Sequence, residues 1–261
     1  MFTLITGGSK GIGKALACEC AQRGMNLLLV ALPGDGLEDT AAELHGRFHV
    51  EVHTLAIDLT DLEGPAKVHR WCCENEYKVN ILINNAGIGG TSVFGHSDPA
   101  YSNNLIMINI RALTLLTHLF LPSMNKMPEA YILNVGSLSA FFSIPYKTVY
   151  SSSKAYVLNF TRALKAELRS SPVSISVVCP NGVHTNSSVD GRIKAHGWKG
   201  QLTSVAVDQL SKETIDKMLK KQTVIIPGFP NKFLVILNKF IPRALTQYFV
   251  IKEFEKEVRN S

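Results

Sequence analysis

Tyr150 and Lys154 stand four residues apart in Val149-Tyr150-Ser151-Ser152-Ser153-Lys154, and Ser137 lies thirteen positions upstream of the tyrosine. An i, i+4 pair on a helix places both side chains on one face. An isolated phenol titrates near ~10, and a neighbouring ammonium favours the phenolate and moves that value down. Such a pair is a proton donor and acceptor that works near neutral pH. A hydroxyl such as Ser137, holding a substrate oxygen beside the phenol, completes what is needed to interconvert an alcohol and a ketone. Alone the spacing is weak: a packed tyrosine beside a solvated lysine produces it by chance, and Tyr146, four before Tyr150, has no lysine four after it.

The elements that must position this chemistry begin at the first residues. Phe2-Thr3-Leu4-Ile5 is an apolar run suited to a buried parallel strand. It leads into Thr6-Gly7-Gly8-Ser9-Lys10-Gly11-Ile12-Gly13 and then the helix-forming Lys14-Ala15-Leu16-Ala17-Cys18-Glu19-Cys20-Ala21. Strand, glycine-rich turn and helix together make a nucleotide-site hypothesis. Gly7 permits a tight turn, Gly11 lets backbone approach a pyrophosphate, and Gly13 lets the helix pack on the strand. The helix N-terminus then offers N–H groups and a positive dipole end to phosphates.

The chain resembles the short-chain dehydrogenase/reductase family. The resemblance rests on Thr6, Gly7, Gly11 and Gly13, on Asn84-Asn85-Ala86-Gly87 after Ile81-Leu82-Ile83, and on Asp58 after the third strand. Asn109, Ser137, Tyr150 and Lys154 complete it, and the landmarks run in order from residue 6 to 185. It implies that Tyr150 transfers the proton, that Lys154 lowers its pKa and holds the nicotinamide ribose, and that Ser137 bonds the substrate oxygen. Asn109 would position a water relaying protons to Lys154; the plainer alternative is a helix residue bonding backbone. The cofactor would lie along Gly7, Ser9, Lys10, Gly11, Ile12 and Gly13, with Asp58 and Leu59 at the adenine and Asn85, Ala86 and Gly87 beside the adenosine. Pro180, Val183 and Thr185 would meet its nicotinamide end. One departure is Asn181, where the family has glycine after proline; asparagine tolerates left-handed backbone better than most residues.

Apolar strands are expected near 2–6, 26–31, 50–56, 79–84, 130–136, 173–179 and 223–227, with helices near 11–23, 37–46, 61–76, 103–121 and 149–170. This unbroken alternation predicts one α/β domain over 1–261: a three-layer, doubly wound parallel sheet of Rossmann type with helices on both faces. Ligands then bind at the carboxyl ends of the strands, where all the landmarks fall. Residues 186–222 are expected to form a substrate lid, and 229–261 an apolar, basic C-terminal segment. Val224-Ile225-Ile226-Pro227-Gly228 ahead of that segment resembles the branch with hydroxysteroid and long-chain ketoacyl reductases.

Of the 27 Lys+Arg and 21 Asp+Glu, ten basic and five acidic residues lie from Lys212 onward. Basic apolar segments of this kind lie on anionic membrane surfaces; packing on the core or on a substrate pocket is the plainer expectation. No reader motif pairs with a basic face, so no nucleic-acid partner is expected. Five cysteines, with neither Cys18-x-Cys20 nor Cys72-Cys73 spaced for zinc, point to reduced packed thiols and no metal. The first strand at residue 2 leaves no room for a signal peptide, and no apolar run is expected to reach the ~18 residues of a spanning helix. A cytoplasmic protein is expected, with membrane-surface contact through the C-terminal segment as an addition.

No acid ends the second strand, Leu27-Leu28-Leu29-Val30-Ala31-Leu32, and Lys10 offers a cation to a 2′-phosphate, so NADP(H) is favoured over NAD(H). Against this, Asp35 can fold back toward the ribose. Phe141, Phe142, Tyr146 and the C-terminal segment predict a greasy substrate pocket for an apolar ketone or alcohol, with Ser137 and Gly182 beside the reacting carbon. The resemblance implies a homodimer or homotetramer through the two long helices carrying Leu115, Leu116, Leu119, Leu158, Phe160 and Leu164; burial of the same residues against the sheet is the alternative. A non-catalytic nucleotide sensor or scaffold on the same fold, and a membrane-surface lipid-modifying reductase, are the competing functions.

Overall fold

Seven strands form one parallel sheet: β1 (Phe2–Thr6), β2 (Asn26–Ala31), β3 (Val52–Ala56), β4 (Val79–Asn84), β5 (Ala130–Val135), β6 (Val173–Val178) and β7 (Val224–Ile225). Their order is β3-β2-β1-β4-β5-β6-β7. The computed structural model describes residues 1–181, 183, 205–238 and 240–259. Chain order reverses between β1 and β4, which is where an open parallel sheet leaves a crevice at its carboxyl edge.

The strands are apolar throughout because both faces are covered. Successive residues point to opposite sides, so Ile5, Leu27, Leu29, Ile81, Ile83 and Leu133 share one core. Leu4, Leu28, Val30, Leu82 and Ile132 share the other. The first is closed by α1 (Gly11–Gln22), α2 (Leu37–Phe48) and, after α6, by α7 (Val207–Leu219). The second is closed by α3 (Gly64–Glu74) and by α4 (Pro99–Ile106) continuing through a π-helical stretch, Met107–Ala112, into α5 (Leu113–Met124). Tyr150 and Lys154 sit on α6 (Thr148–Glu167).

The continuous helix Pro99–Met124 outruns the expected 103–121 at both ends. Its start carries an ordinary signal: Asp98 Oδ1 accepts from Ala100 N at 2.8 Å, with Pro99 at the first helical position. By length and composition this helix could cross a membrane, since Asn103, Asn104, Asn109 and Arg111 break the apolar run without reversing its mean hydropathy. In the fold it covers the sheet: Leu105, Ile108, Ala112, Leu116, Phe120 and Met124 are buried, and Arg111 donates to the Leu62 carbonyl at 2.7 Å. Leu116 and Leu158, expected at an oligomer contact, are buried in the chain itself, whereas Leu115, Leu119, Phe160 and Leu164 are half-buried.

After β7 the chain forms α8 (Phe229–Asn238) and α9 (Arg243–Arg259), two helices where the sequence suggested one apolar segment. Pro242 marks the break; it cannot continue a preceding helix and favours starting the next.

Candidate active site

The glycine turn is built by backbone contact. Gly7 and Gly11 have φ of 65° and 56°, which a side chain would strain. A Cβ on Gly13 would lie 1.9 Å from the Gly7 carbonyl oxygen, so only glycine lets α1 start so close to the strand. The β4 loop clasps the same turn. Asn85 Nδ2 donates to the carbonyls of Thr6 and Gly7 at 2.9 and 3.0 Å, and Thr6 Oγ1 accepts from the N–H groups of Asn85 and Ala86 at 3.0 Å. The residue Lys10 at the N-cap gives α1 no side-chain cap, and no acid stands in its first turn. The first N–H groups and the dipole end therefore face the cavity as an anion cradle. A dinucleotide pyrophosphate fits this cradle. Gly7, Ser9, Lys10, Ile12 and Gly13 line the cavity, while Gly11 shapes the turn.

At the adenosine end, Ala31, Leu32, Asp35, Asp58, Leu59 and Thr60 form the wall. Asp58 Oδ1 accepts from both N and Oγ1 of Thr60 at 2.8 Å. Lys10 and Asp35, expected as rival readers of the ribose, bond each other: Nζ to Oδ1 is 3.0 Å, with the lysine 74% and the aspartate 27% exposed.

Tyr150 and Lys154 both line the cavity from one face of α6. The Lys154 ammonium is 5.9 Å from the centre of the Tyr150 ring and donates to the Val135 carbonyl at 2.9 Å. Burial pulls its pKa from 10.5 to about 8, with the neighbouring Cys179 acting weakly the other way. Cys179 is itself pushed up to about 12 by burial, so it is a packed, proton-bearing thiol. Ser137 leaves β5 in an extended conformation; its Oγ accepts from Ser139 N at 3.1 Å. Leu138 N donates to the Pro180 carbonyl at 2.8 Å, which ties this loop to the end of β6.

Asn109 is buried behind the cavity wall, in the π-helical stretch. Its amide exchanges two 3.0 Å bonds with the backbone of Ile88, and its Nδ2 also lies 3.0 Å from Ser153 Oγ. Through these bonds Asn109 ties the loop after β4 to α6. Gly87 lies between the pair, since a Cβ there would sit 2.8 Å from Asn109 Oδ1 and 3.6 Å from Lys154 Nζ. Asn85, Ala86 and Gly87 all line the cavity.

Sequence reasoning missed Gly89. A Cβ on it would come within 2.9 Å of the Tyr150 ring, so the loop lies flat against the phenol. Nothing in local spacing marks it, because its partner is sixty-one residues away. Two substrate assignments need correction. Phe141 does not line the cavity; its ring lies 5.9 Å from the Arg162 guanidinium and its carbonyl accepts from Asn238 Nδ2 at 3.3 Å. Phe142, next along the chain and extended, lines the cavity instead. Tyr146 has φ of 63°, which turns it toward a small side crevice, and its carbonyl accepts from Ser92 N at 2.8 Å. Pro180, Asn181 and Val183 line the cavity. Gly182, Thr185 and residues 186–204 of the expected lid lie outside the described residues.

The cavity holds about 1180 Å³ and runs from the glycine turn to the C-terminal helices. Beyond Tyr150 its wall is mainly apolar, with Phe142, Ile144, Leu234, Leu237, Phe249 and Val250; Asn238 and Thr246, bonded to each other at 3.1 Å, are its polar members on α8 and α9. Lys147 Nζ bonds Thr91 Oγ1 at this end and lies 5.4 Å from the centre of the Phe254 ring.

Residues 2–195 match the family model described as short chain dehydrogenase. The chain belongs to the short-chain dehydrogenase/reductase family. It is 35% identical to the very-long-chain 3-oxoacyl-CoA reductase of Macaca fascicularis over 258 residues, 96% of this chain and 77% of that protein. With very-long-chain 3-oxoacyl-CoA reductase-A of Danio rerio it shares 33% identity over 188 residues, which is 70% of this chain. That match spans only 58% of the Danio protein's length, and the match to its B counterpart 61%. Among solved structures, a short-chain dehydrogenase from Sphingobium yanoikuyae in complex with NADPH superposes with a TM-score of 0.78 at 31% identity, covering 87% of this chain and 88% of that one. The bulky-bulky ketone specific alcohol dehydrogenase of Comamonas testosteroni superposes equally well, 0.78 at 27% identity over 91% and 90%. This member of the family thus places its tyrosine, lysine and serine in one cavity with its glycine turn.

Proposed function

We propose that the chain interconverts a ketone and a secondary alcohol with NADP(H), acting on an apolar substrate. One observation carries the reading: Ser137, Tyr150 and Lys154 line the same cavity as the glycine turn, and that cavity continues into an apolar wall. A bound dihydronicotinamide supplies the hydride. The chain's own residues do the rest. Ser137 donates its hydroxyl proton to the ketone oxygen, which can only accept, while its Oγ accepts from Ser139 N. Tyr150 gives its phenolic proton to the forming alkoxide and takes it back in the oxidative direction. Lys154, cationic below about pH 8, biases that phenol toward phenolate. The apolar wall and α8–α9 keep water from the reacting carbon. A sensor or scaffold has no need of this complete set, so the catalytic reading is favoured.

The test is NADPH oxidation against ketones ranging from short acyl esters to steroids, with parent and Tyr150→Phe. Turnover should fall by about 10²–10⁴-fold in the variant, the size of a lost proton-transfer contribution, while NADPH affinity changes little. A variant that kept the parent's rate would remove Tyr150 from the chemistry.

Contact with a membrane surface belongs to the same proposal. Phe229 and Phe240 are each 80% exposed, and Phe233, Ile236, Tyr248 and Phe249 are exposed as well; exposed apolar side chains concentrated in one segment mark interaction surfaces. Lys232 and Lys252 are on the same two helices. The chain should float with vesicles containing anionic phospholipid, and Phe229→Ser/Phe240→Ser should release it. Equal flotation of parent and variant would contradict this surface.

A further inference from the structure

Resting on the reductase reading above, we infer that Ser139 is a second substrate hydroxyl, one that selects ketones carrying another oxygen within a few bonds of the reacting carbonyl. Ser139 lines the cavity two residues after Ser137. It is 8% exposed, and its Oγ is buried without a hydrogen-bond partner in the protein. Its backbone is fully used: the N–H donates to Ser137 Oγ at 3.1 Å, and the carbonyl accepts from Phe142 N at 3.2 Å. Only the hydroxyl is left over.

Folded proteins leave few buried polar atoms unpaired, and each such atom calls for a reason. Among the described residues four other side-chain atoms share this condition, on Asn84, Tyr101, Ser176 and Thr214. None of those residues lines the large cavity; Ser139 does. Its missing partner can therefore come from a ligand, whereas theirs cannot come from that cavity.

Position narrows what the ligand must carry. Two residues of chain span at most about 7 Å, and the bond from Ser139 N to Ser137 Oγ draws the two serines closer still. With Ser137 on the reacting oxygen, Ser139 can reach only a group near it. The same cavity wall carries the apolar Phe142, Ile144, Leu234 and Leu237, which give such a group no hydrogen bond. A second carbonyl or ester oxygen close to the ketone satisfies Ser139, and a plain alkyl chain leaves it orphaned. Site and substrate thus agree for a 3-oxoester and disagree for a simple methyl ketone.

The experiment compares a methyl ketone with a 3-oxoester of matched chain length, using parent and Ser139→Ala with NADPH. Loss of a neutral hydrogen bond should raise KM for the oxoester about fivefold more than for the methyl ketone. Ser139→Thr, which keeps a hydroxyl, should recover part of that difference. Ligand-free Ser139→Ala should melt no lower than the parent, because the hydroxyl it removes has no partner in the fold. Equal changes for the two ketones, no change for either, or a lower melting temperature would each overturn the assignment. A parent inert toward both ketones would instead sink the reductase reading, and this inference with it.

Discussion

The two ends of the cavity are built by different physics. At the cofactor end the wall is backbone: Gly7 and Gly13 meet at a distance no side chain allows, and Asn85 spends its amide on two carbonyls of the turn. At the substrate end the wall is a set of apolar side chains from α8 and α9, whose outer faces are exposed. One end is held by close approach and hydrogen bonds, which fix positions within tenths of an ångström. The other is held by apolar contact, which tolerates exchange of one side chain for another of similar volume.

The sharpest way to break this contrast is to add a single methyl group at each end. Gly13→Ala forces a Cβ to 1.9 Å from a backbone oxygen. Either α1 or the turn must move, and overpacking of this kind costs about 1–3 kcal/mol and often more. NADPH affinity should fall at least about tenfold by fluorescence titration, with a matching drop in melting temperature. Val250→Ile, adding the same methylene to the apolar wall, should leave NADPH affinity unchanged. Comparable losses in both would mean that the two ends are not built differently.

That contrast also explains what could be read before the structure. The glycine turn, Asn85 and the Tyr150/Lys154 pair were legible because their spacing along the chain is their geometry: a turn, a strand end and one helical turn. The sheet was legible for the same reason, since strands buried on both faces are apolar at every position. Gly89 and Ser139 were not. Each acquires its role from a partner distant in sequence or from a turn that rotates its neighbours. Phe141 and Phe142 are both aromatic, and only the 3₁₀ turn Leu138–Phe141 decides that Phe142 is the one on the cavity wall. The two C-terminal helices read as one segment because hydropathy was followed and Pro242 was not.

A smaller effect tests how Lys154 is held between these two ends. Lys154 has its pKa pulled by burial from 10.5 to about 8. The unfolded chain therefore binds more protons than the folded one between these values, and stability of the cofactor-free protein rises with pH across that window. The burden is full below about pH 8 and absent above 10.5, on the order of 3 kcal/mol for a buried group. Lys154→Met should stabilise the cofactor-free protein at pH 7 and flatten the rise, as followed by urea unfolding between pH 7 and 10. A parent whose stability is flat or falls over that range would show that the ammonium is better solvated than its burial implies.

The smallest effect lies at the adenosine rim, where the cofactor end stops being backbone and becomes exposed side chain. Lys10 and Asp35 bond each other at 3.0 Å. A 2′-phosphate arriving there gains the ammonium only by taking it from Asp35, and it then faces that carboxylate as a like charge. The ribose of NADH meets no such repulsion, yet finds no acid at the end of β2 to hold its hydroxyls. NADPH should still bind more tightly than NADH, because the phosphate carries more charge than the carboxylate it displaces. The margin is small, since exposed ion pairs contribute about fivefold in affinity at most. Lys10→Ala should narrow the preference and Asp35→Asn should widen it, both more visibly at low salt because these charges are screened. Opposite movements of the two variants are the signature of a shared contact. If Asp35→Asn instead weakened NADPH, the aspartate would be orienting Lys10 rather than competing for it, and equal affinity of the parent for both cofactors would remove the phosphate from this rim altogether.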